Sequence, residues 1–68
     1  MTFRQLTQRL ARLGYQYYRQ ATGSHEIWWH PQTGRRTTIP NHGSKDIPKG
    51  TLAKILRDLD LTLSDLLR

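Results

Sequence analysis

The sequence predicts a small α+β domain of order α-β-β-β-α, with two helices on one face of a three-stranded antiparallel sheet. An amphipathic pattern of helical period lies near each end of the chain. Three short runs rich in aromatic and β-branched residues lie between them, joined by connections too short for parallel crossovers. Two helices over one sheet make a two-layer domain, and 68 residues leave room for a single domain, residues 1–68.

The first helix is predicted from apolar residues that recur at helical spacing near the start of the chain. These residues are Phe3, Leu6, Leu10 and Leu13. Thr2 and Gln5 have the spacing of a capping box, and Gly14 is placed to end the helix.

The strands are predicted in the segments 15–20, 24–30 and 35–40, which read YQYYRQ, SHEIWWH and RRTTIP. Trp28 and Trp29 are adjacent, so they point to opposite faces of the sheet and at least one of them is expected in the core. Strand alternation alone allows either one.

The second helix is predicted from a further apolar stripe, which consists of Leu52, Ile55, Leu56 and Leu59. Asp46 or a neighbour is expected to cap this helix, with Pro48 in its first turn. Thr62 and Asp65 have the spacing that opens one last short helical turn.

The charge of the chain favours a polyanionic partner, either a nucleic acid or an acidic protein. Eleven Lys and Arg residues face five Asp and Glu, a net charge of +6. The absence of Cys excludes disulfides, cysteine metal sites and a cysteine nucleophile. No apolar run has the length of a membrane span or the pattern of a secretory signal, so we expect a cytoplasmic protein with no membrane partner.

The chemistry available to the chain rests mainly on its histidines. A metal site built from them with Glu26 or Asp46 would match no standard ligand spacing. Ser24 beside His25 is no evidence for a nucleophile, because neighbours on a strand point apart. RNA supplies its own nucleophile, the 2′-hydroxyl, and needs only a base near neutral pH and cations around the phosphate. A lone strand histidine is nevertheless more often a packing residue, so these residue types by themselves indicate only nucleic-acid binding.

An ordered set of short motifs over nearly the whole chain adds a resemblance. These are Gly14-Tyr15, Arg19, Gly23-Ser24-His25, His30-Pro31, Thr38-Ile39-Pro40, His42, Lys45-Asp46-Ile47 and the segment KGTLAKILR at 49–57. In this order they resemble HicA, the toxin family of the HicA–HicB toxin–antitoxin systems. The resemblance implies a fold similar to the double-stranded-RNA-binding domain and cleavage of mRNA without a ribosome. It also implies an antitoxin partner, HicB, and a catalytic histidine that maps onto His25. Glu26, after this histidine, departs from the polar or basic residue that many members have.

The resulting expectation is a type II toxin that is a metal-independent endoribonuclease without a cofactor, with His25 as general acid or base. Residues expected to bind the RNA are Arg36, Lys45 and Lys49, with Arg19 next, and Ser24 and His42 beside them. Two alternatives stay open. One is an RNA-binding domain without catalysis, and the other is a protein-interaction domain whose basic face meets an acidic partner.

Overall fold

The computed structural model describes residues 1–68 and has the predicted order of elements. They are helix α1 (Phe3–Arg12), strands β1 (Gln16–Gln20), β2 (His25–Trp29) and β3 (Arg36–Pro40), and helices α2 (Lys49–Leu59) and α3 (Leu63–Leu67). The sheet has the order β1-β2-β3 with both pairs antiparallel, so the predicted meander is confirmed. None of the helices combines the length and the apolar character needed to cross a bilayer.

Helix α1 begins and ends as its sequence predicts. The backbone N–H of Gln5 donates to Thr2 Oγ1 at 3.2 Å, and the Thr2 N–H donates to Gln5 Oε1 at 2.9 Å, which completes the capping box. Leu13 is the C-cap residue of the helix, and Gly14 follows it with a φ of 95°. A positive φ is accessible to glycine without the Cβ clash that other residues meet, so this residue type lets the chain turn into β1.

The core is aliphatic and lies between the helices and one face of the sheet. Its nine buried residues are Leu6, Leu10, Tyr15, Ile39, Ile47, Ile55, Leu56, Leu59 and Leu66. Phe3 and Leu52 only border this cluster, and Leu13 is 37% exposed, so the outer residues of both predicted stripes lie at its margin. Leu66 belongs to α3, whose predicted capping box between Thr62 and Asp65 is also present.

The start of helix α2 differs from the prediction for Asp46. The helix begins at Lys49, its cap position is Pro48, and no side chain caps it. Asp46 instead accepts a hydrogen bond from the amino group of Met1 at 3.2 Å, and its backbone forms an isolated bridge with Thr2. The Asp46 carboxylate therefore ties the β3–α2 loop to the start of α1. The amino group of Met1 supplies the positive charge that the N-terminus of α2 would have supplied to a capping carboxylate.

The two faces of the sheet are distinguished by the register of β2 and β3. Trp28 pairs with Thr37, and Glu26 pairs with Ile39. Thr37 and Ile39 are buried, so these four residues lie on the face covered by the helices, which we call the helix face. Trp28 packs against the core there, and the adjacent Trp29 lies on the opposite face, which we call the open face.

A corner between α1 and the β2–β3 turn explains one group of the sequence motifs. The rings of Tyr15 and His30 meet edge to face with centroids 5.0 Å apart. The Tyr15 hydroxyl donates to the Leu59 carbonyl at 3.2 Å, and burial raises the pKa of this phenol. His30 Nδ1 accepts the Gln32 N–H at 3.3 Å, and the imidazole lies directly against Gly14. Gly14, Tyr15 and His30 therefore hold the fold together, away from the open face.

Candidate nucleic-acid interface

His25 is held by its backbone and exposes its imidazole. It is the first residue of β2, directly after the turn that contains Gly23. Its carbonyl accepts hydrogen bonds from Ala21 N–H at 2.9 Å and from Gln20 Nε2 at 2.8 Å, and its N–H donates to the Thr22 carbonyl at 3.2 Å. The main chain is thus fixed by three hydrogen bonds, while the side chain is exposed to solvent.

The open face is the surface on which His25 lies. Along β2 the side chains alternate, so His25, Ile27 and Trp29 share a face. Their partners on β3 are Pro40, Thr38 and Arg36 respectively. Since the intervening residues of both strands point to the helices, His25 projects from the side of the sheet that no helix covers.

Arg19 is the expected RNA-binding cation that the register brings closest to His25. It pairs with Ile27, two residues along β2 from His25. Diagonal neighbours of this kind lie about 7–8 Å apart, within reach of a long side chain. Arg36 pairs with Trp29, four residues from His25 and so about 13 Å away along the strand. The register therefore places Arg19 closer to His25 than Arg36.

Ser24, His42 and Lys45 lie at the same end of the sheet as His25. The Asn41 N–H donates to the Ser24 carbonyl at 3.0 Å, which joins the β3–α2 loop to the β1–β2 turn. Within that loop the Lys45 N–H donates to the His42 carbonyl at 3.4 Å. All three side chains are exposed, so one end of the molecule presents a hydroxyl, two imidazoles and an ammonium group.

Lys49 lies elsewhere. It begins α2 and lines a groove between α2 and α3 whose other seven lining residues are all apolar. The structure thus brings Ser24, His25, His42 and Lys45 together at one end of the sheet, with Arg19 beside them. Arg36 lies at the far end of the open face, and Lys49 lies between the helices.

Glu26 does not face His25. Its carboxylate accepts hydrogen bonds from Trp28 Nε1 at 3.1 Å and from Asn41 Nδ2 at 3.4 Å on the helix face. The acid next to the histidine in sequence is therefore engaged in holding the β3–α2 loop and an indole. Its two partners keep its negative charge on the side of the sheet away from the imidazole.

The strand β1 contains a feature that the sequence did not indicate. Tyr17 pairs with Trp28 and Arg19 pairs with Ile27, so Tyr18 is an additional residue at a β-bulge. The Tyr18 ring lies 4.6 Å from the Trp29 ring, centroid to centroid, at a tilt of 49°. Two consecutive side chains, Tyr18 and Arg19, thus lie on the open face, where strict alternation would have sent one of them to the helices.

No three His, Cys, Asp or Glu side chains are grouped as metal ligands would be.

Among the carboxylates, the pKa of Asp58 is lowered, first by a hydrogen bond from Lys54 and further by one from Thr37. Lys54 Nζ lies 3.0 Å and Thr37 Oγ1 lies 2.8 Å from Asp58 Oδ2. Asp58 therefore stays ionised, and the positive charge of Lys54 balances its negative charge beside β3.

Fold and surface together define a small basic α+β domain with one exposed strand histidine on a cationic, uncovered sheet face. A family model described as the HicA toxin of bacterial toxin–antitoxin systems matches residues 3–61. The chain belongs to the HicA toxin family. This family is known as one of mRNA interferases, and its place in toxin–antitoxin systems implies an antitoxin partner. No curated protein and no solved structure matches the chain significantly.

Proposed function

We propose that this chain is the toxin of a type II system and cleaves mRNA as a metal-independent, ribosome-independent endoribonuclease. The observation that carries the proposal is the position of His25. Its imidazole is exposed at one end of the open face, and its backbone is fixed by hydrogen bonds. Arg19, on the neighbouring strand β1, is its diagonal neighbour. A HicB-like antitoxin inhibits it by covering this surface.

The proposed reaction uses the RNA's own 2′-hydroxyl. Its oxygen attacks the adjacent phosphorus while the bond to the 5′-oxygen of the next nucleotide breaks. His25 either accepts the 2′ proton or donates a proton to the leaving 5′-oxygen, and His42 is the candidate for the other transfer. The products are a 2′,3′-cyclic phosphate and a free 5′-hydroxyl. No metal or other cofactor takes part.

Cations serve this reaction because negative charge builds up on the phosphorane oxygens. We assign Arg19 and Lys45 to the reacting phosphate, an assignment supported by their positions at or beside the His25 end of the sheet. Arg36 serves a more distant phosphate. The exposed Ser24 hydroxyl beside His25 is a further hydrogen-bond donor for phosphate.

The test is cleavage of a defined single-stranded RNA in EDTA by the wild-type chain and by His25→Ala. General acid–base catalysis contributes about 100-fold to 10,000-fold, so His25→Ala should lose at least about 100-fold in rate. Thr22→Ala is the matched control, because this exposed residue belongs to the same hairpin turn and should cleave normally. Circular dichroism checks that all three chains are folded.

Each result has a defined meaning. Cleavage by the wild type and the control, but not by folded His25→Ala, with a 2′,3′-cyclic phosphate product, supports the proposal. Equal cleavage by all three chains, or cleavage of RNA made with 2′-deoxy nucleotides, rejects it. If none cleaves but all bind RNA, the chain is a non-catalytic RNA-binding domain.

The antitoxin part of the proposal has its own test. A HicB-like protein encoded beside this chain should co-purify with it and abolish RNA cleavage at stoichiometric amounts. Failure of such a protein to bind would reject the inhibitor without affecting the nuclease.

A further inference from the structure

We propose that Tyr18 and Trp29 form a base-stacking subsite for single-stranded RNA at the end of the open face away from His25. This inference rests on the proposed function in that RNA is the ligand. It adds a binding subsite away from the cut and the path that the single strand takes across the sheet.

The first argument is the construction of the aromatic pair. The β-bulge in β1 turns the Tyr18 side chain to the open face, where its ring lies 4.6 Å from that of Trp29. Tyr18 is 42% exposed, and neither ring belongs to the core cluster or borders it. Trp28 is the indole that packs on the core. The pair therefore lies outside the core: Trp29 is half-buried beside Tyr18, and the exposed Tyr18 ring presents π surface to water, on which any base can stack.

The second argument is the positive charge on the open face beside the aromatic pair. Arg19 and Arg36 line one depression with Ile27 and Thr38 between them, and it continues past the edge of β3 to Thr37, Lys54 and Asp58. Neither arginine forms a salt bridge, and Arg19 makes only a long hydrogen bond of 3.5 Å to the Gln20 carbonyl. Two guanidinium groups without salt bridges, beside the exposed Tyr18 ring and the half-buried Trp29 ring, complement a phosphate backbone whose bases are free.

The acidic residues of the chain leave this path free of uncompensated negative charge. Asp58, on the rim of the depression, is bound to Lys54 and Thr37. Glu26 is bound on the helix face. An acidic protein could pair with the same arginines. The two adjacent aromatic rings favour RNA, because its bases can stack on them.

The third argument is distance. Trp29 lies four residues along β2 from His25, about 13 Å for an extended strand. An RNA strand that stacks a base on Tyr18 and Trp29 thus reaches the imidazole with a phosphate a few nucleotides away. The depression lined by Arg19 and Arg36 extends from the Trp29 end of the open face towards His25. Bases in a duplex are stacked on each other and unavailable to such a platform, so the path requires a single strand.

The experiment measures binding with cleavage removed. His25→Ala chains bind fluorescent single-stranded oligouridine or an RNA hairpin duplex, and each is compared with chains that also carry Tyr18→Leu or Trp29→Leu. Tyr17→Leu is the matched control. It is the neighbouring tyrosine of β1, 49% exposed, and its ring meets Trp28 on the helix face.

We expect Tyr18→Leu and Trp29→Leu to weaken single-strand binding about 5-fold or more, since base stacking contributes about 1–3 kcal/mol per base. Tyr17→Leu should change it less than about 2-fold, below the range of one stacked base. Equal losses for Tyr17→Leu and Tyr18→Leu, or duplex binding as tight as single-strand binding, would overturn the inference. Circular dichroism checks folding, and Tyr18→Leu alone decides the matter if Trp29→Leu does not fold.

The design separates this inference from the proposed function. Binding by non-cleaving chains gives the same answer whether or not His25 is catalytic. In active chains, Tyr18→Leu should slow cleavage of long oligonucleotides and leave dinucleotide cleavage unchanged, because a dinucleotide cannot span both sites. A uniform slowing of both substrates would place Tyr18 with the catalytic groups and overturn the inference.

Discussion

Replacement of Gly14 by alanine tests the corner that joins α1 to the sheet. Gly14 has a φ of 95°, and a Cβ built on it would lie 2.7 Å from His30 Nε2 and 3.3 Å from His30 Cδ2. The new methyl group thus meets two separate difficulties. The backbone conformation is unfavourable for any L side chain, and the imidazole occupies the space.

The magnitude follows from the contacts that would change. The left-handed conformation costs about 1–2 kcal/mol. A displaced His30 loses its edge-to-face contact with Tyr15, about 0.5–1.5 kcal/mol, and its hydrogen bond from Gln32, about 0.5–1.5 kcal/mol. The expected loss is therefore about 3 kcal/mol. A domain of this length has roughly 3–10 kcal/mol of stability in total, so the variant should lose about a third of it or more.

The assay is urea denaturation followed by circular dichroism, with two other glycines as controls. Gly34 has a φ of 77° and open space around it, so Gly34→Ala should lose only the backbone part, about 1–2 kcal/mol. Gly50, in the first turn of α2 with nothing nearby, should tolerate alanine with no loss. If Gly14→Ala costs no more than Gly34→Ala, the imidazole yields freely and the reasoning about the corner is refuted.

Two further predictions concern charge. The pKa of Asp58 is lowered from its ordinary value of 3.8, first by Lys54 and also by Thr37. Its carboxylate therefore stabilises the fold fully above about pH 4, and this contribution is lost as the pH falls through the lower folded-state value. The stability difference between wild type and Asp58→Asn should shrink in acid, and a difference that stays constant down to pH 2 would contradict this. Separately, Arg19→Gln should reduce the slope of log affinity for single-stranded RNA against log salt by about 0.7–1. Arg12→Gln, an exposed cation in the last turn of α1 and away from the open face, is the control, and equal effects of the two variants would contradict the assignment.

The fold was predictable because local pattern and tertiary structure agree. The helical spacing of Leu6 and Leu10 and the Thr2 cap give α1 as it is found. The short turns between β-prone runs give the antiparallel meander. In each case a residue's neighbours in sequence determine its environment, so the sequence carries the necessary information.

The surface was predictable only in part, because it depends on which residues pair across strands. Alternation separates Trp28 from Trp29, but only the pairing of Trp28 with buried Thr37 decides which one meets the core. The relative distances of Arg19 and Arg36 from His25 likewise follow from register. The bulge at Tyr18 has no local signal such as a glycine, so nothing in the sequence announced it.

The bulge also makes the open face sensitive to chain length. Removal of one residue at position 18 would give β1 a regular ladder and leave every core side chain in place. Such a chain would keep its arginine on the open face and lose the ring beside Trp29. A comparison of homologous sequences would show only a one-residue gap in a strand, next to unchanged motifs. Under the base-stacking proposal, that gap would distinguish family members with the aromatic pair from members without it.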